Sequence, residues 1–223
     1  SRLPGWKVVM PSNPLDAYGL MIAAIKDPNP VLVLLPKALL RVKGDALIPG
    51  EPADADELSR LIDAPLGDRS GWQPQWPPLG EYVVPIGSAA KPREGDAATV
   101  VTYGRLLPLC VQAADELRRD FGYTFDVIDL RTIFPYDWPL ISASILKTGR
   151  LLIANEDTEV TNFGEHLLRR AVEDHFYDLL VKPVLLMGKH LPGIGLNQVY
   201  EANTVPQYEH VRDAMRAVAA EAA

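Results

Sequence analysis

The chain has 223 residues, 48% hydrophobic and 23% charged, a balance that suits a globular protein with a real core. A net charge of -7 without a basic stripe argues against nucleic acid as the main partner, because phosphate binding needs clustered Lys and Arg. No apolar run approaches the roughly 20 residues that span a bilayer, the opening SRLPGWKVVMP has no apolar core of a secretory signal, and the single cysteine, Cys110, excludes an internal disulfide. The expected setting is reducing: the cytoplasm of a bacterium or a mitochondrial matrix.

The first element in chain order is a short buried strand, WKVVMP. A helix follows from Pro14 to about Lys26. Asn13 caps it, and Pro14 fits the first helical position, where no N–H is needed. Leu15, Tyr18, Ile22 and Ile25 recur at helical spacing. Pro28 ends the helix, and VLVLL, residues 31–35, reads as a second buried strand. Residues 1–43 thus form one βαβ unit, too short to fold alone. It must pack on the rest of the chain, on a partner, or on residues upstream.

Residues 44–80 read as a connector rich in Pro, Gly and Asp, with one short helix around 56–62. Trp72 and Trp76 argue for packing on a surface, the alternative being a loop folded over its own domain. Residues 81–223 alternate strand and helix. Strands are expected at 99–103, 124–130, 151–155 and 183–187. Helical stripes appear at Leu106, Cys110, Ala113 and Leu117, at Phe163, Leu167, Ala171 and Phe176, and at Val211, Met215, Val218 and Ala222. Continuous apolar strands between amphipathic helices predict an α/β fold, a mostly parallel sheet with helices on both faces.

In such sheets ligands and partners meet the carboxyl ends of the strands. Those ends carry Gly104 and Arg105; Asp129, Arg131 and Thr132; Asn155, Glu156 and Asp157; Lys189 and His190. The plainer alternative is that strand ends are polar because loops are exposed. A dinucleotide turn is not supported, because TYGRLLP offers one glycine. There is no Gly-x-Ser-x-Gly elbow, and Cys110 lies mid-helix without a local base. His166, His175, His190 and His210 lack zinc-type spacing; His190 stands out because it follows a strand. At the end of the first helix, AAIKDPNP leaves carbonyls without intrahelical partners at the negative end of the helix dipole. Carbonyls of Ala24, Asp27 and Asn29 converging there suit a hard or monovalent cation. A plain helix stop reads the same way.

With these residues in hand, five ordered stretches resemble the β subunit of the thiamine diphosphate-dependent 2-oxo acid dehydrogenases of the pyruvate and branched-chain types. They are PGWKVVMPSNPLDAYGLMIAAIKDPNPVLVLLPKALLR, VPIGSAAKPREGDAATVVTYG, VIDLRTIFPYD, ILKTGRLLIANED and YEANTVPQYEHV. The resemblance implies that 1–43 is the tail of a pyrimidine-binding domain and 81–223 a transketolase-type C-terminal domain. It also implies an α2β2 enzyme that decarboxylates a 2-oxo acid and acylates a lipoyl group. The partners implied are an α subunit or upstream catalytic segment, a second β subunit and the lipoyl acyltransferase core. The cofactors implied are thiamine diphosphate and magnesium, held mainly outside this chain, and potassium at Ala24, Asp27 and Asn29. The pattern departs from the family at several points. The quoted motifs start late in the pyrimidine-binding domain, so the family's cofactor-activating glutamate is expected upstream, and no catalytic or cofactor-binding residue is expected here. The connector is long for the family. TNFGEH stands where GGFGAE is usual, placing His166 at a glutamate position, and His190 replaces the aspartate of Gly-x-Asp-x-Pro, a residue associated with acyltransferase docking. Asp129, Arg131, Glu156 and His190 are therefore read as interface residues. The rivals are another transketolase-superfamily enzyme and a non-catalytic docking module.

Overall fold

The structure, a computed structural model, describes residues 4–44, 46–193, 195 and 197–222. Its strands are β1 (Lys7–Val9), β2 (Val31–Val33), β3 (Ala90–Arg93), β4 (Ala98–Thr102), β5 (Phe125–Asp129), β6 (Thr132–Phe134), β7 (Leu151–Thr158) and β8 (Val184–Gly188). Its α-helices are α1 (Pro14–Lys26), α2 (Ala55–Ile62), α3 (Leu106–Phe121), α4 (Trp138–Thr148), α5 (Phe163–His175), α6 (Gln198–Thr204) and α7 (Tyr208–Ala220).

The larger sheet has the order β3-β5-β4-β7-β8. Strands β4, β5, β7 and β8 run parallel, and β3 pairs antiparallel at the edge. Every residue of β4 and β5 is buried, as a strand covered on both faces requires. One face packs on α3 and α7 through Val100, Cys110, Leu117, Val127 and Met215. The other packs on α4 and α5 through Val101, Ile128, Ile141, Ile153 and Leu167. This is the expected mostly parallel α/β sheet.

Besides the short helix α6, three elements escaped the sequence pattern for physical reasons. Helix α4 has clear end signals: the Asp137 side chain accepts from the Leu140 N–H, and Gly149 closes it at φ 64. Its buried face, however, includes Ser144 and Thr148, whose hydroxyls bond Thr99 Oγ1 at 2.7 and 2.8 Å. Inward hydroxyls erase the apolar stripe. Strand β3 contains Pro92, which suits an edge strand. Strand β6 is three residues long.

Strand β6 settles where the first unit goes. It pairs antiparallel with β1, which pairs parallel with β2, giving a second sheet of order β2-β1-β6. The βαβ unit therefore packs on the rest of this chain. Asn13 caps α1 by accepting from the Asp16 N–H, with Pro14 in the first turn. Val9, Leu20 and Val84 form a small core with Val31, Val33 and Tyr82 around it. Gly19 is needed there, because a Cβ would lie 2.7 Å from Val84 Cγ2. The strap holding Tyr82 and Val84 is fixed along α1 by Tyr18 Oη donating to the Gly80 carbonyl at 3.0 Å and by the Val84 N–H donating to Gly19 at 3.2 Å.

Within this chain the connector buries little. Helix α2 buries no residue. Trp72 is 37% exposed and Trp76 66%.

Candidate functional site

The carboxyl ends of β4 and β5 meet the small sheet in a polar seam. After β4 the chain turns at Gly104, φ 61, where a Cβ would lie 2.8 Å from Met10 Cε. This close approach lets the Gly104 N–H donate to Ser12 Oγ at 2.8 Å. Ser12 Oγ in turn donates to Asp129 Oδ1 at 2.9 Å, across 117 residues of sequence. After β5, Arg131 takes a left-handed conformation at φ 55. That turn aims its N–H at Asp129 Oδ1, 3.2 Å away, and its carbonyl at the Met10 N–H, 2.8 Å away. Its guanidinium grips Asp16 with two bonds, Nε–Oδ2 3.0 Å and Nη2–Oδ1 2.9 Å, the strong bidentate arrangement.

Both carboxyls are sealed from solvent, Asp16 at 2% exposure and Asp129 at 1%. Burial pushes the Asp129 carboxyl up to about 7; the Ser12 and Arg131 N–H bonds pull it down, and Asp16 repels its charged form. Asp129 Oδ2 has no hydrogen-bond partner among the described residues. Asp129 and Arg131 thus face the first unit of the chain, through Ser12 and Asp16.

The next strand ends lie farther along the same edge. Arg105 Nη1 bonds Glu156 Oε1 at 3.0 Å and the Pro206 carbonyl at 3.1 Å, while Nη2 reaches Gln207 Oε1 at 3.0 Å. It ties β7 to the start of α7. Burial raises Glu156 above the usual range against the pull of Arg105. Asn155 Oδ1 accepts from the Asp157 N–H at 3.0 Å. His190 sits apart at the exposed end of β8, its Nδ1 3.2 Å from Thr158 Oγ1 and its N–H on Glu159 Oε1 at 3.1 Å. The structure therefore joins Asp129, Arg131 and the Gly104 turn in one cluster, puts Arg105 with Glu156 in a second, and leaves His190 at the surface.

Between the small sheet and this edge opens a cleft of about 670 Å³. Met10, Leu32 and Leu34 form an apolar wall facing Tyr103, Glu156 and Asp157. Burial, with help from Asp157 and Glu156, lifts the Tyr103 phenol above its ordinary range.

At the end of α1, the Asp27 N–H donates to the Ala24 carbonyl at 3.4 Å. The Asp27 carboxylate is taken by the Lys7 ammonium and by Asn29, whose N–H and Nδ2 lie 2.9 and 3.1 Å away. The Lys7 bond, then the Asn29 N–H, hold it below the ordinary carboxylate range. Backbone carbonyls are what remain for a cation. Among the described residues, no group of three or more His, Cys, Asp or Glu side chains is placed to hold a metal.

Two histidines have richer settings than their spacing suggested. His166 Nε2 lies 2.8 Å from Tyr136 Oη, which also accepts from Arg170 Nη1 at 2.8 Å. Burial and then the charges of Arg169 and Arg170 hold this imidazole below its ordinary value. His175 links Ser142 Oγ at 2.8 Å to Asp178 Oδ2 at 3.1 Å. The order of groups matches a hydrolytic triad. Ser142 sits inside α4, whose backbone N–H groups are spent on helical bonds, so the helix offers it no oxyanion donors. The arrangement staples α4 to the end of α5. Sequence reading missed Ser12 and Asp16 altogether; the one signal was an acid in the first turn of a helix, which reads as an ordinary dipole partner.

Comparisons with known proteins agree with this architecture. A family model described as transketolase, C-terminal domain, matches residues 87–211, and one described as transketolase, pyrimidine binding domain, matches residues 1–43. The 2-oxoisovalerate dehydrogenase subunit beta of Bacillus subtilis (strain 168) is 35% identical over 217 residues, 97% of this chain and 57% of its own length. The protein of the same name from Pseudomonas aeruginosa is 38% identical over 82% of this chain and 47% of its own. The pyruvate dehydrogenase E1 component subunit beta of Rhizobium meliloti (strain 1021) is 34% identical over 98% of this chain and 40% of its own. The chain spans about half the length of these curated relatives. A solved structure described as a split gene transketolase, inactive beta4 tetramer, superposes with a TM-score of 0.68 at 17% identity, covering 98% of this chain and 59% of the other, and so shows the shared fold. The chain belongs to the transketolase C-terminal domain family, with a segment of the pyrimidine-binding type in front, and its curated relatives are β subunits of 2-oxo acid dehydrogenases.

Proposed function

We propose that the chain is a β-type subunit, or the C-terminal portion of one, of a 2-oxo acid dehydrogenase that decarboxylates a 2-oxo acid and acylates a lipoyl group. The observation that carries this reading is 35% identity to such a β subunit across 97% of the chain. The same span includes the seam that joins the two units. A transketolase proper is the weaker reading, since that likeness stands at 17% identity.

Thiamine diphosphate, when bound, supplies the electron sink for loss of carbon dioxide. Among the described residues, the strand-end groups are already engaged with one another. The TYGRLLP turn offers one glycine, Glu156 is paired with Arg105, and Asp129 is sealed behind Ser12. The part played by this chain is positional. Ser12, Asp16, Asp129 and Arg131 fix the pyrimidine-binding segment on the carboxyl edge of the larger sheet. Glu156 and His190 lie on the outward part of that edge, where an α subunit, a second β subunit or the acyltransferase core would dock.

The backbone oxygens of Ala24, Asp27 and Asn29 are hard donors at the negative end of α1 and fit part of a potassium site. Pro28 and Pro30 add no competing N–H. The Asp27 carboxylate is used by Lys7, so the carbonyls carry the site and other ligands come from the assembled protein. A rubidium soak of the assembled enzyme should give an anomalous peak beside Ala24; no peak there removes the site from the proposal.

The function is tested by co-expressing the full-length protein with its α-type partner. The expected result is a complex that reduces an artificial electron acceptor with pyruvate or a branched 2-oxo acid, dependent on thiamine diphosphate and magnesium. An assembled complex inactive with both substrates overturns the dehydrogenase reading. For the chain alone, calorimetry should detect no micromolar binding of thiamine diphosphate; such binding would refute the positional role.

A further inference from the structure

We propose that the seam is a proton-linked joint, in which Asp129 holds the first unit against the larger sheet as a neutral carboxylic acid and loosens it as an anion. The inference rests on residues of this chain and stands independently of the dehydrogenase reading. The charge count in the seam motivates it. Two carboxyls, Asp16 and Asp129, are almost wholly buried there, and the guanidinium that acts on both is that of Arg131. That guanidinium is committed to Asp16 by two bonds. Asp129 is left with neutral donors on Oδ1, Ser12 Oγ and the Arg131 N–H, and with nothing on Oδ2. A buried carboxylate so placed has no compensation for its lost hydration.

Among the described residues, no second cation bonds Asp129; Lys43, Arg93 and Arg119 line the cavity on the Asp16 side. Helix α1 contributes Asp16. Helix α3 begins beside Arg105, whose charge is spent on Glu156. Strand β3 offers Ala90 opposite Asp129, and the neighbouring Lys91 turns to Asp126. Strand β4 places Thr102 in register with Asp129, on the same face of the parallel pair. The Thr102 hydroxyl is itself buried without an oxygen or nitrogen partner. A proton on Asp129 removes the charge from an oxygen that has no donor to compensate it.

The consequence falls on the seam because Ser12 is the hinge of the cluster. Its hydroxyl accepts from Gly104 and donates to Asp129, and Asp16 lies one helical turn beyond. An anion at Asp129 repels Asp16, which opposes closure of the first unit. Burial holds the Asp129 carboxyl up near 7 in the folded chain. An acid with a raised folded value stabilises fully below its unfolded value, about 4, and loses that contribution as pH rises toward 7.

The test is amide hydrogen exchange on the full chain with nuclear magnetic resonance of labelled aspartate carboxyl carbons. Protection of Val9, Met10 and Thr132 should fall with rising pH, by up to about tenfold per pH unit between about 4 and 7, then level off. Protection in β4 and β7 should change far less. Asp129→Asn, which mimics the neutral acid, should keep high protection and lose the pH dependence. A variant with the wild-type slope overturns the proposal. If that variant does not fold, the wild-type carboxyl signal decides. A neutral Asp129 at pH about 5 that ionises near 7 supports the joint, and a signal ionised throughout refutes it.

Discussion

Strand β5 carries two aspartates three residues apart, and the regions around them are opposites. Asp126 faces α4 and has more positive charge than it needs. Lys91 Nζ lies 3.0 Å and Lys147 Nζ 2.6 Å from its oxygens, with Ser144 Oγ at 2.7 Å and the Gly95 N–H at 2.9 Å. Asp129 faces the seam, where the guanidinium of Arg131 grips Asp16 and leaves Asp129 with neutral donors. Both are sealed, at 0% and 1% exposure, and burial opposes charge at each, more strongly at the deeper Asp129. The partners decide the outcome: at Asp126 they outweigh burial and hold the carboxyl below its ordinary range, while at Asp129 burial wins. Solvent exposure alone therefore predicts neither charge state nor role. The region rich in partners is a permanent fastening inside the larger sheet. The region short of them is where two units of the chain are joined.

The most damaging single change should be at the seam's cation. Arg131→Ala leaves the Asp16 carboxylate buried without its counterion, a loss of the kind that costs about 3–5 kcal/mol. Urea denaturation should show it, and the first unit should lose its exchange protection before the larger sheet does. Arg131→Gly removes the same charge but relieves the left-handed backbone at φ 55. It should therefore be less harmful than Ala by about 1 kcal/mol. Full stability in the alanine variant would refute the structural reading of the Asp129 and Arg131 pair.

A smaller loss is expected at the other aspartate, because its lysines can turn to water once released. Lys147 is already 44% exposed in its side chain. Asp126→Asn should cost about 2 kcal/mol at neutral pH. The sign of its pH dependence is the reverse of the seam's. A carboxyl held low in the folded state stabilises above its unfolded value and loses that contribution as pH falls through the folded value. The gap between wild type and Asp126→Asn should thus close on acidification below about 4. A gap that stays constant down to pH about 2 would show that the lysines do not set the charge state.

These two regions also mark what a sequence can and cannot reveal. The parallel strands and the helices α3 and α7 announce themselves by periodicity, because each buries an apolar stripe; α1 is found by its cap and spacing, but the face it buries is Asp16, Gly19, Leu20 and Ala23, and Ile25 of the expected stripe is exposed. Helix α4 does not announce itself, since Ser144 and Thr148 point inward to serve Asp126 and Thr99. The polar fastening that stabilises the sheet is what hides the helix. At the seam, Asp129 and Arg131 are visible as a strand end, but their partners lie 117 and 115 residues away. Ser12 and Asp16 look locally like part of a helix start. Only the antiparallel pairing of β6 with β1 brings them across, and a three-residue strand carries almost no signal of its own.

The connector supplies the smallest expected effect and the sharpest control. Trp76 is 66% exposed and α2 buries nothing, so Trp76→Ala should change stability by no more than about 0.5 kcal/mol. That small number separates two uses of a large aromatic side chain. A tryptophan packed on its own domain shares that domain's cooperative unfolding, and its removal is felt there. One held outside leaves the folded chain unaffected, and any effect appears only when a partner is present. A loss above about 2 kcal/mol in the chain by itself would place Trp76 in the core that holds the two sheets together. An unchanged midpoint would leave the seam as the fastening between them, the one that Arg131→Ala breaks.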